Sequence, residues 1–364
     1  MNRRTLLSFL LIGSLGKAFD VSGGFVDDWN RMKSITPQGY VCYRAPGAIK
    51  IDGRLDEAAW RAVPWTKDFA DIEGSVKPRP QFRTRVKMLW DDDYFYVAAE
   101  LQEPHVWATL TQHDAVIFQD NDFEVFIDPD GDSHEYYEFE INALNTGWDL
   151  LLKKPYKDGG PALNSWDIPG LKTAVHVNGT INNPSDRDEG WSVEIAFPWK
   201  VLAEFAHRPA PPAEGDQWRV NFSRVEWLVE IADRKYRKVP GRKEDNWVWS
   251  PQGIIDMHRP EKWGYVQFSR QKIGKARFVS DPAAPARAVL QHLYYAQRDF
   301  QAGHGRWAAS LEELGFGERL DFGTVKSPTL RLTNDGFNIA TEAKLPDGKS
   351  QHWRIRQDAR IDPD

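Results

Sequence analysis

The chain has 364 residues, with 47 Lys and Arg against 53 Asp and Glu, which gives a formal net charge of −6. Proteins that bind nucleic acid concentrate basic residues on one face, so this balance argues against that class. The length suffices for one large core with a smaller second one, or for two ordinary domains. The 16 Trp residues supply core volume as well as flat surfaces for stacking, so the composition permits sugar binding without establishing it.

Residues 1–18 have the pattern of a secretory signal peptide. Arg3 and Arg4 form a basic start, residues 6–15 form an apolar run, and Ala18 is a small residue at its end. An apolar run of this length is too short to cross a bilayer, which takes about 20 residues. We therefore expect cleavage near Ala18, export to the periplasm or the extracellular space, and no membrane span in the mature protein. A buried N-terminal core helix is the alternative.

Between residues 40 and 270, apolar and polar residues alternate with a period of two, which is typical of strands with one buried face. In the run 84–90, Val86, Met88 and Trp90 point one way, and a second apolar run follows at 94–101. The same period recurs at residues 123–128, 137–142, 172–177, 191–197, 218–223 and 263–268. Helical signals in this stretch are short, at residues 55–62 and 199–206. The predicted fold class is mainly β, a β-sandwich followed by a small α+β C-terminal unit.

The predicted division of the chain has five parts. They are a signal peptide at 1–18, a leader without a clear period at 19–39, the sandwich at 40–270, a Pro- and Ala-rich linker at 271–286 and a tail at 287–364. In the tail, residues 287–301 have helical spacing, and the capping box that starts at Ser310 predicts a second short helix ending at Gly315. Two hairpin turns are predicted at residues 334–336 and 346–348.

The tail resembles the globular end of type IV pilin-like proteins in the run from Tyr294 to Leu314. It has no long apolar N-terminal helix of the kind that pilins need for assembly. We therefore interpret the tail as a packing appendage and not as a pilus subunit.

Motifs scattered through the predicted sandwich carry a second resemblance. They are Ile51-Asp52-Gly53-Arg54-Leu55-Asp56-Glu57 with Trp60, the run 89–97, Glu124-Val125-Phe126-Ile127-Asp128 with the run 136–142, Gly190-Trp191-Ser192-Val193-Glu194-Ile195-Ala196 with Pro198-Trp199, the run 220–224, Trp249-Ser250-Pro251 and the run 260–264. In this order they resemble the family 9 carbohydrate-binding modules. The resemblance implies a β-sandwich that, in carbohydrate-active enzymes, binds the ends of sugar chains and often carries structural calcium.

The same resemblance implies where a sugar would bind. Family members hold it between two tryptophans, whose positions fall near Phe118 and near Met257 or His258 in this sequence. The position of a basic residue that bonds sugar hydroxyls is occupied by Glu140, while Glu124 and Asn142 match the family pattern.

The polar residues of these strands predict a binding face. Carboxylates and amides can bond pairs of vicinal hydroxyls, and nearby aromatic rings can stack on a sugar. The outward row comprises Glu124, Glu138, Glu140, Asn142, Asn221 and Ser223, and the aromatic residues in bordering loops are Phe118, Trp148 and Trp166. An ordinary solvated sheet face is the alternative for the row, and core filling is the alternative for each aromatic residue. The predicted carbohydrate-binding residues are Phe118, Glu124, Glu140, Asn142, Trp148, Asn221 and Met257.

Two clusters are rich in oxygen ligands of the kind that hard cations prefer. Asp128, Asp130 and Asp132 predict a structural calcium loop, although a hairpin turn with solvated acids explains them equally well. Asp114, Asp120, Asn121 and Asp122 form a second cluster with the same two interpretations. The histidines show no zinc-ligand spacing.

The preferred function is non-catalytic carbohydrate binding in partnership with glycoside hydrolases, and no catalytic residues are assigned. One alternative is a haem-binding electron-transfer module on the same sandwich, suggested by Met257-His258. Another is a cell-envelope structural protein without a ligand. If the protein is an enzyme, Glu138 and Glu140 point to hydrolysis of O-glycosyl bonds. The sequence contains no nucleophile elbow, phosphate loop or metalloprotease helix.

Overall fold

The structure is a computed structural model that describes residues 24–316 and 325–363. The predicted signal peptide and the start of the predicted leader lie outside the described residues. Within the described part, the α-helices are α1 (Phe25–Met32), α2 (Ala58–Ala62), α3 (Trp199–Leu202) and α4 (Ala284–His304).

The strands fall into a larger set before α4 and a smaller set after it. The first strands are β1 (Gly39–Arg44), β2 (Ala70–Asp71), β3 (Thr84–Trp90), β4 (Tyr94–Gln102), β5 (Asp122–Asp128), β6 (Tyr136–Asn142), β7 (Gly147–Leu152), β8 (Ala162–Leu163), β9 (Lys172–Asn178) and β10 (Gly190–Pro198). They are followed by β11 (Gln217–Glu226), β12 (Val229–Ala232), β13 (Lys235–Lys238), β14 (Asp245–Val248) and β15 (Gly264–Ser269). The tail contains β16 (Thr329–Leu332), β17 (Phe337–Lys344), β18 (Ser350–Arg356) and β19 (Ile361–Pro363).

One large sheet curls so that its two halves face each other across a common core. Its main path is β8-β7-β6-β5-β11-β15-β1-β3-β4-β10-β9. Strands β6 and β10 are seven positions apart in this order, which is about 34 Å in a flat sheet. Their side chains Phe139 and Phe197 nevertheless meet with ring centroids 6.0 Å apart. The prediction of a mainly β, sandwich-like fold is therefore confirmed.

Strand β1 joins the two halves of this sheet. It runs parallel to β15 along residues 39–43 and parallel to β3 at Tyr43 and Arg44. Gly39 lies so close to the ring of Phe278 that a Cβ atom there would be 2.6 Å from it. The halves are thus held by backbone hydrogen bonds as well as by core packing.

The period-two pattern places alternate residues of each strand in the core. Phe123, Val125 and Ile127 of β5 are at most 1% exposed and belong to the core between the sheet halves. Strands β3, β5 and β9 begin and end where the alternation predicts or within one residue of it. The pattern missed β1 and β7, of six residues each, and the shorter strands β2, β8, β14 and the hairpin of β12 and β13.

A single buried carboxylate explains two of the sequence motifs. Glu194 on β10 accepts hydrogen bonds from the backbone N–H groups of Asp52 and Gly53, at 2.9 and 2.8 Å, and from the Trp60 Nε1–H at 2.7 Å. Gly53 has a φ of +80°, and a Cβ atom there would lie 2.6 Å from the backbone of β9. The Ile-Asp-Gly motif and the strand that carries Glu194 are therefore parts of one contact.

The predicted leader contains helix α1, which the sequence pattern did not identify. The N–H groups of Phe25 and Val26 at its start donate to the Asp299 carboxylate of α4, at 2.6 and 2.8 Å. Trp29 stacks on Tyr295 of α4 with ring centroids 5.7 Å apart. The leader and the tail consequently share one small hydrophobic core.

In the tail, α4 packs on an antiparallel sheet of order β16-β17-β18-β19. The two predicted hairpin turns are present, between β16 and β17 and between β17 and β18. The prediction of a second short helix after Ser310 is wrong. Residues 311–315 form turns that end at Gly315, where φ is +81°. The resemblance to pilin-like proteins and the domain boundaries stay predictions.

Buried ion pairs dock the tail and α1 on the large sheet. Arg259 pairs with Asp28 of α1 and donates to the hydroxyl of Tyr295 on α4, at 3.1 and 2.7 Å. Arg298 pairs with Asp158 at 2.6 Å. Over the described ranges, no helix is both long and apolar enough to cross a membrane.

Replacing Glu194 by alanine is expected to lower the free energy of unfolding by about 2–5 kcal/mol, because it leaves three donors without their acceptor in a buried position. Urea denaturation of the purified protein measures this change. Glu189→Ala is the matched control, since this residue is exposed and lies on the same hairpin. Equal stability of the two variants would contradict the role assigned to Glu194.

Candidate functional site

The candidate site lies on the second face of strands β11, β5, β6 and β7, opposite the core. In the register of these strands, Ser223 lies opposite Glu124, Glu124 opposite Glu140, and Glu140 opposite Trp148. Glu138 lies two residues before Glu140, on the same face. Two carboxylates placed directly opposite each other destabilise a sheet, so this arrangement lowers the stability of the fold.

These carboxylates are buried. Glu124, Glu138 and Glu140 are 5%, 5% and 2% exposed, and Asp122, next to them on β5, is fully buried. The interpretation of the row as an ordinary solvated sheet face is therefore wrong. Loops and the ends of neighbouring strands cover the face, which gives the acidic groups an environment of low polarity.

Few hydrogen bonds satisfy the group. The Glu140 Oε2 atom accepts the Phe118 N–H at 3.0 Å, and Asp122 Oδ1 accepts the Val225 N–H at 3.0 Å. Glu138 Oε2 and Asp122 Oδ2 are buried and have no partner among the described residues. The face thus retains free acceptor atoms.

Burial raises the pKa values of the whole group. The pKa of Glu124 rises to about 7, although the hydroxyl of Ser223 donates to its carboxylate. The pKa values of Asp122, Glu138 and Glu140 are also raised, first by burial and then by the charge of Glu124. At neutral pH the group therefore carries fewer charges than its four carboxyl groups allow.

Nearby cations do not neutralise this group. Arg224 pairs at 2.7 Å with both Glu103 and Glu226. The Lys238 ammonium lies over the ring of Trp227, 3.4 Å from its centroid. Burial lowers the pKa of Lys238, and the charges of Asp120, Glu244 and Asp122 act against this shift, so Lys238 interacts with Asp122 electrostatically without a hydrogen bond to it.

Aromatic and thioether side chains border the acidic group. Phe118, in a 3₁₀ turn, and Trp148 have ring centroids 6.4 Å apart. Trp148 lies on β7 and not in a loop as expected. Met257 and Trp148 pack against the same small cluster of buried residues. The Met257 sulfur accepts a hydrogen bond from the Gln252 Nε2–H at 2.9 Å.

Tyr156 is a site residue that the sequence analysis missed. Burial first, and then the charges of Glu138 and Glu140, raise its pKa. Its ring packs edge-on against His258 at 4.5 Å and remains 42% exposed. It lies in a short 3₁₀ turn after β7, which is too short for a periodic pattern to connect it with the acidic residues. It supplies a partly exposed aromatic surface beside the carboxylates.

The two predicted amides occupy different surroundings. The Asn142 amide donates to the Leu110 carbonyl and to Asp120, and its oxygen accepts the N–H groups of Leu144 and Thr146. Asn221 exchanges hydrogen bonds with the backbone of Ser250. Both side chains are fully buried. The structure therefore brings together Phe118, Glu124, Glu140, Trp148 and Met257, while Asn142 and Asn221 bond to the surrounding backbone.

Trp166 lies on the core side of the sheet, whereas His258 packs against Phe126 and Tyr136 on the same face as the acidic group. Trp166 packs against Tyr137 at 5.2 Å on the core side. His258 is buried and contacts the hydroxyl of Tyr136 through Nδ1 at 3.0 Å, and burial lowers its pKa to about 4. Its ring is thus neutral at pH 7.

The predicted calcium loop brings its three carboxylates close enough to share one ion. However, Asp128 accepts the N–H groups of Gly131 and Ser133, at 2.9 and 3.0 Å. Asp132 accepts the His134 N–H and pairs with Arg360 of the tail at 2.8 Å. These contacts already use most of the oxygen atoms, so the loop fits a cation only in part.

The second predicted oxygen cluster divides between several contacts. Asp120 accepts bonds from the Thr109 and Leu110 backbone, and Asn121 donates to Glu103 and Glu226. Asp114 instead groups with His113, Asp149 and Asp167. Only Asp122 of this cluster joins the acidic face.

The structure also has an open cleft of about 730 Å³ away from this face, between β1, residues 61–67 and residues 273–278. Tyr43, Trp65 and Phe278 are among its lining residues, and the predicted carbohydrate-binding residues are not. The unsatisfied polar atoms described above lie at the acidic face, so we regard that face as the candidate site.

Comparison with known proteins identifies the central part of the chain. Residues 51–217 match the family described as carbohydrate family 9 binding domain-like. The endo-1,4-beta-xylanase A of Thermotoga maritima is 27% identical over 161 residues, and the exoglucanase XynX of Acetivibrio thermocellus is 26% identical over 156 residues. Each match covers 43% of this chain but only 12% of the relative.

Two solved structures of a family 9 carbohydrate-binding module from Caldicellulosiruptor kristjanssonii also match. The complex with cellotriose has 15% identity and a TM-score of 0.43, covering 66% of this chain and 100% of the module. The complex with glucose has 16% identity and a TM-score of 0.44, covering 64% and 97%. The match of the family model to residues 51–217 makes this segment a family 9-like domain, and it confirms the resemblance seen in the sequence motifs.

Glu124→Gln is expected to raise the free energy of unfolding at pH 8 by about 1–3 kcal/mol in buffer containing EDTA, because the amide mimics the neutral acid. The folded-state pKa of Glu124, about 7, exceeds the unfolded value of about 4.3. Its contribution to stability is therefore complete below pH about 4.3 and is lost as the pH rises through 7.

Urea denaturation between pH 4.5 and 8 measures this dependence. The decline with pH should be shallower in Glu124→Gln than in the wild type and unchanged in the exposed control Glu204→Gln. A variant as pH-dependent as the wild type would show that Glu124 is not the titrating group.

Proposed function

We propose that the family 9-like domain at residues 51–217 belongs to an exported, non-catalytic carbohydrate-binding protein that serves carbohydrate breakdown. The observation that carries the proposal is the buried face on which Glu124 and Glu140 lie opposite each other beside Trp148. A buried group of acceptors with unsatisfied oxygen atoms is suited to a ligand rich in hydroxyl donors.

The chemistry of the face supports recognition of a sugar. Ionised carboxylates accept hydrogen bonds from vicinal hydroxyls, and a protonated carboxyl can also donate one. Trp148 Nε1 is buried without a partner among the described residues, and so offers a further donor. Phe118, Trp148 and Tyr156 supply the apolar surfaces against which the C–H face of a sugar ring packs.

The names of the relatives indicate which sugars to test. They are a xylanase and an exoglucanase, and the matched modules were solved with cellotriose and glucose. We therefore propose β-linked gluco- or xylo-oligosaccharides as ligands and glycoside hydrolases as partners. Glu140 and Met257 occupy positions where the family resemblance implies other side chains, so the preferred sugar is expected to differ from that of the relatives.

Binding should be measured by calorimetric titration of the mature protein with glucose, cello-oligosaccharides and xylo-oligosaccharides. Glu124→Ala and Trp148→Ala are each expected to weaken the binding of whichever sugar is recognised by about 5- to 150-fold. This range corresponds to the loss of about 1–3 kcal/mol from one buried contact. Tyr94→Ala is the control, since Tyr94 is half-buried on the opposite half of the sheet.

Circular dichroism must show that each variant is folded. Unchanged affinity in both site variants would move the sugar to another surface, with the cleft lined by Trp65 and Phe278 as the next place to test. Absence of binding across the whole panel would contradict the proposed function.

Export forms part of the same proposal, since a protein that binds polysaccharide must reach it outside the cytoplasm. Mass spectrometry of the protein from its native host is expected to show a mature N-terminus near residue 19. A folded protein that retains Met1 would contradict export through a cleaved signal peptide.

A further inference from the structure

Three carboxylates of the acidic face are arranged as a set of cation ligands. Asp122, Glu124 and Glu140 each offer an oxygen atom, and these atoms all lie within 4.8 Å of one another. Two ligands on opposite sides of one Ca²⁺ ion are about 4.6–5.2 Å apart, so a single ion can contact all three. Strand pairing fixes the set, because Glu124 and Glu140 are direct neighbours on β5 and β6.

An independent observation at the same place indicates a missing partner. Glu138 is not one of these three residues, yet it is 95% buried and lies close enough to Glu124 for the charge of Glu124 to raise its pKa. Its Oε2 atom has no hydrogen-bond partner among the described residues, and neither has the second oxygen of Asp122. Buried acceptors are rarely left unpaired in native proteins, and each one costs about 1–3 kcal/mol.

The surrounding charges do not supply this partner. Arg224 is held by Glu103 and Glu226, and Lys238 lies over Trp227. Four acidic side chains therefore share one buried region, and within residues 24–316 and 325–363 the hydrogen bonds given for them come from no basic side chain. Buried charges are otherwise paired or coordinate metals.

We propose that Asp122, Glu124 and Glu140 bind a divalent cation, with Glu138 as a fourth carboxylate beside it. All of these groups are oxygen ligands, which suit a hard cation such as Ca²⁺, Mg²⁺ or Mn²⁺. Protein ligands from only three or four side chains leave coordination positions for water or for hydroxyl groups of a sugar. The cation site does not depend on the proposed function, because it rests on the carboxylates alone.

The site is distinct from the loop of Asp128, Asp130 and Asp132. In that loop, backbone N–H groups and Arg360 already contact the carboxylates of Asp128 and Asp132. At the acidic face, the carboxylates instead have unsatisfied oxygen atoms. The two groups can therefore be separated by substitutions at different ends of β5.

The test is calorimetric titration of the EDTA-treated, dialysed mature protein with CaCl₂, MgCl₂ and MnCl₂ in turn. At least one of these cations is expected to bind at a single site. Glu124→Gln and Glu140→Gln should each weaken it more than 10-fold, because an amide donates a single neutral oxygen in place of a carboxylate. Asp130→Asn is the matched control in the other acidic group and should leave the affinity unchanged.

Circular dichroism and urea denaturation establish that the Gln variants are folded. Cation binding that survives both Gln substitutions but is lost in Asp130→Asn would overturn the assignment, and so would the absence of binding by all three cations at millimolar concentration.

A parallel sugar titration in EDTA and in the cation separates the two proposals. Cation binding that depends on Glu124 and Glu140 supports the site whether or not any sugar binds. Sugar binding by a protein that binds none of the three cations supports the proposed function alone and overturns the cation site.

Discussion

The parallel pairing of β1 with both β15 and β3 is the constraint on which the architecture depends. Without this strand, the path of hydrogen bonds from β11 to β4 would be interrupted, and the two halves of the sheet would be held by side chains alone. Its buried residues Tyr40 and Cys42 pack in the core that the curl encloses. Closure of the curl leaves one face of β5, β6 and β7 outside that core. The candidate site occupies this outer face, so its position follows from the way in which β1 closes the sheet.

The acidic face lowers the stability of the fold, whereas the hydrophobic core does not. Glu124 and Glu140 are opposite neighbours in a buried environment, where burial raises both pKa values and the charge of Glu124 raises that of Glu140 further. A hydrophobic pair at these positions would pack without that cost, as replacement of buried charges in other proteins shows. Glu194 is an informative contrast. It is equally buried, yet three donors surround it and join β10 to the Ile-Asp-Gly turn. One buried carboxylate is thus satisfied by the fold, whereas the acidic face has acceptor capacity that the fold leaves unused.

The tail stabilises the strands that carry the site. The hairpin between β5 and β6 is held by tail residues at three points: Arg360 pairs with Asp132, His134 Nε2 contacts the Asp358 carbonyl at 2.8 Å, and Arg287 donates to the Gly131 carbonyl at 2.5 Å. This hairpin sets the register in which Glu124 lies opposite Glu140. The tail and helix α1 therefore act as a support for the binding face at a distance from it. The structure gives this part of the chain a role that its sequence alone does not indicate.

The sequence by itself determined most of the longer strands of the large sheet and their order along the chain, but not β1 or β7. Alternation fixed which residues of β3, β5 and β10 enter the core, since side chains of a strand point to opposite faces in turn. Motif resemblance indicated a family 9-like domain, and with it Phe118, Glu124 and Glu140 as candidate site residues. Local patterns could not show that the outer face is covered, because its covering loops come from distant parts of the chain. Only the tertiary structure made Glu124 and Glu140 buried neighbours, added Tyr156 to the site and joined α1 to the tail, since these contacts depend on strand register and on packing between segments far apart in sequence.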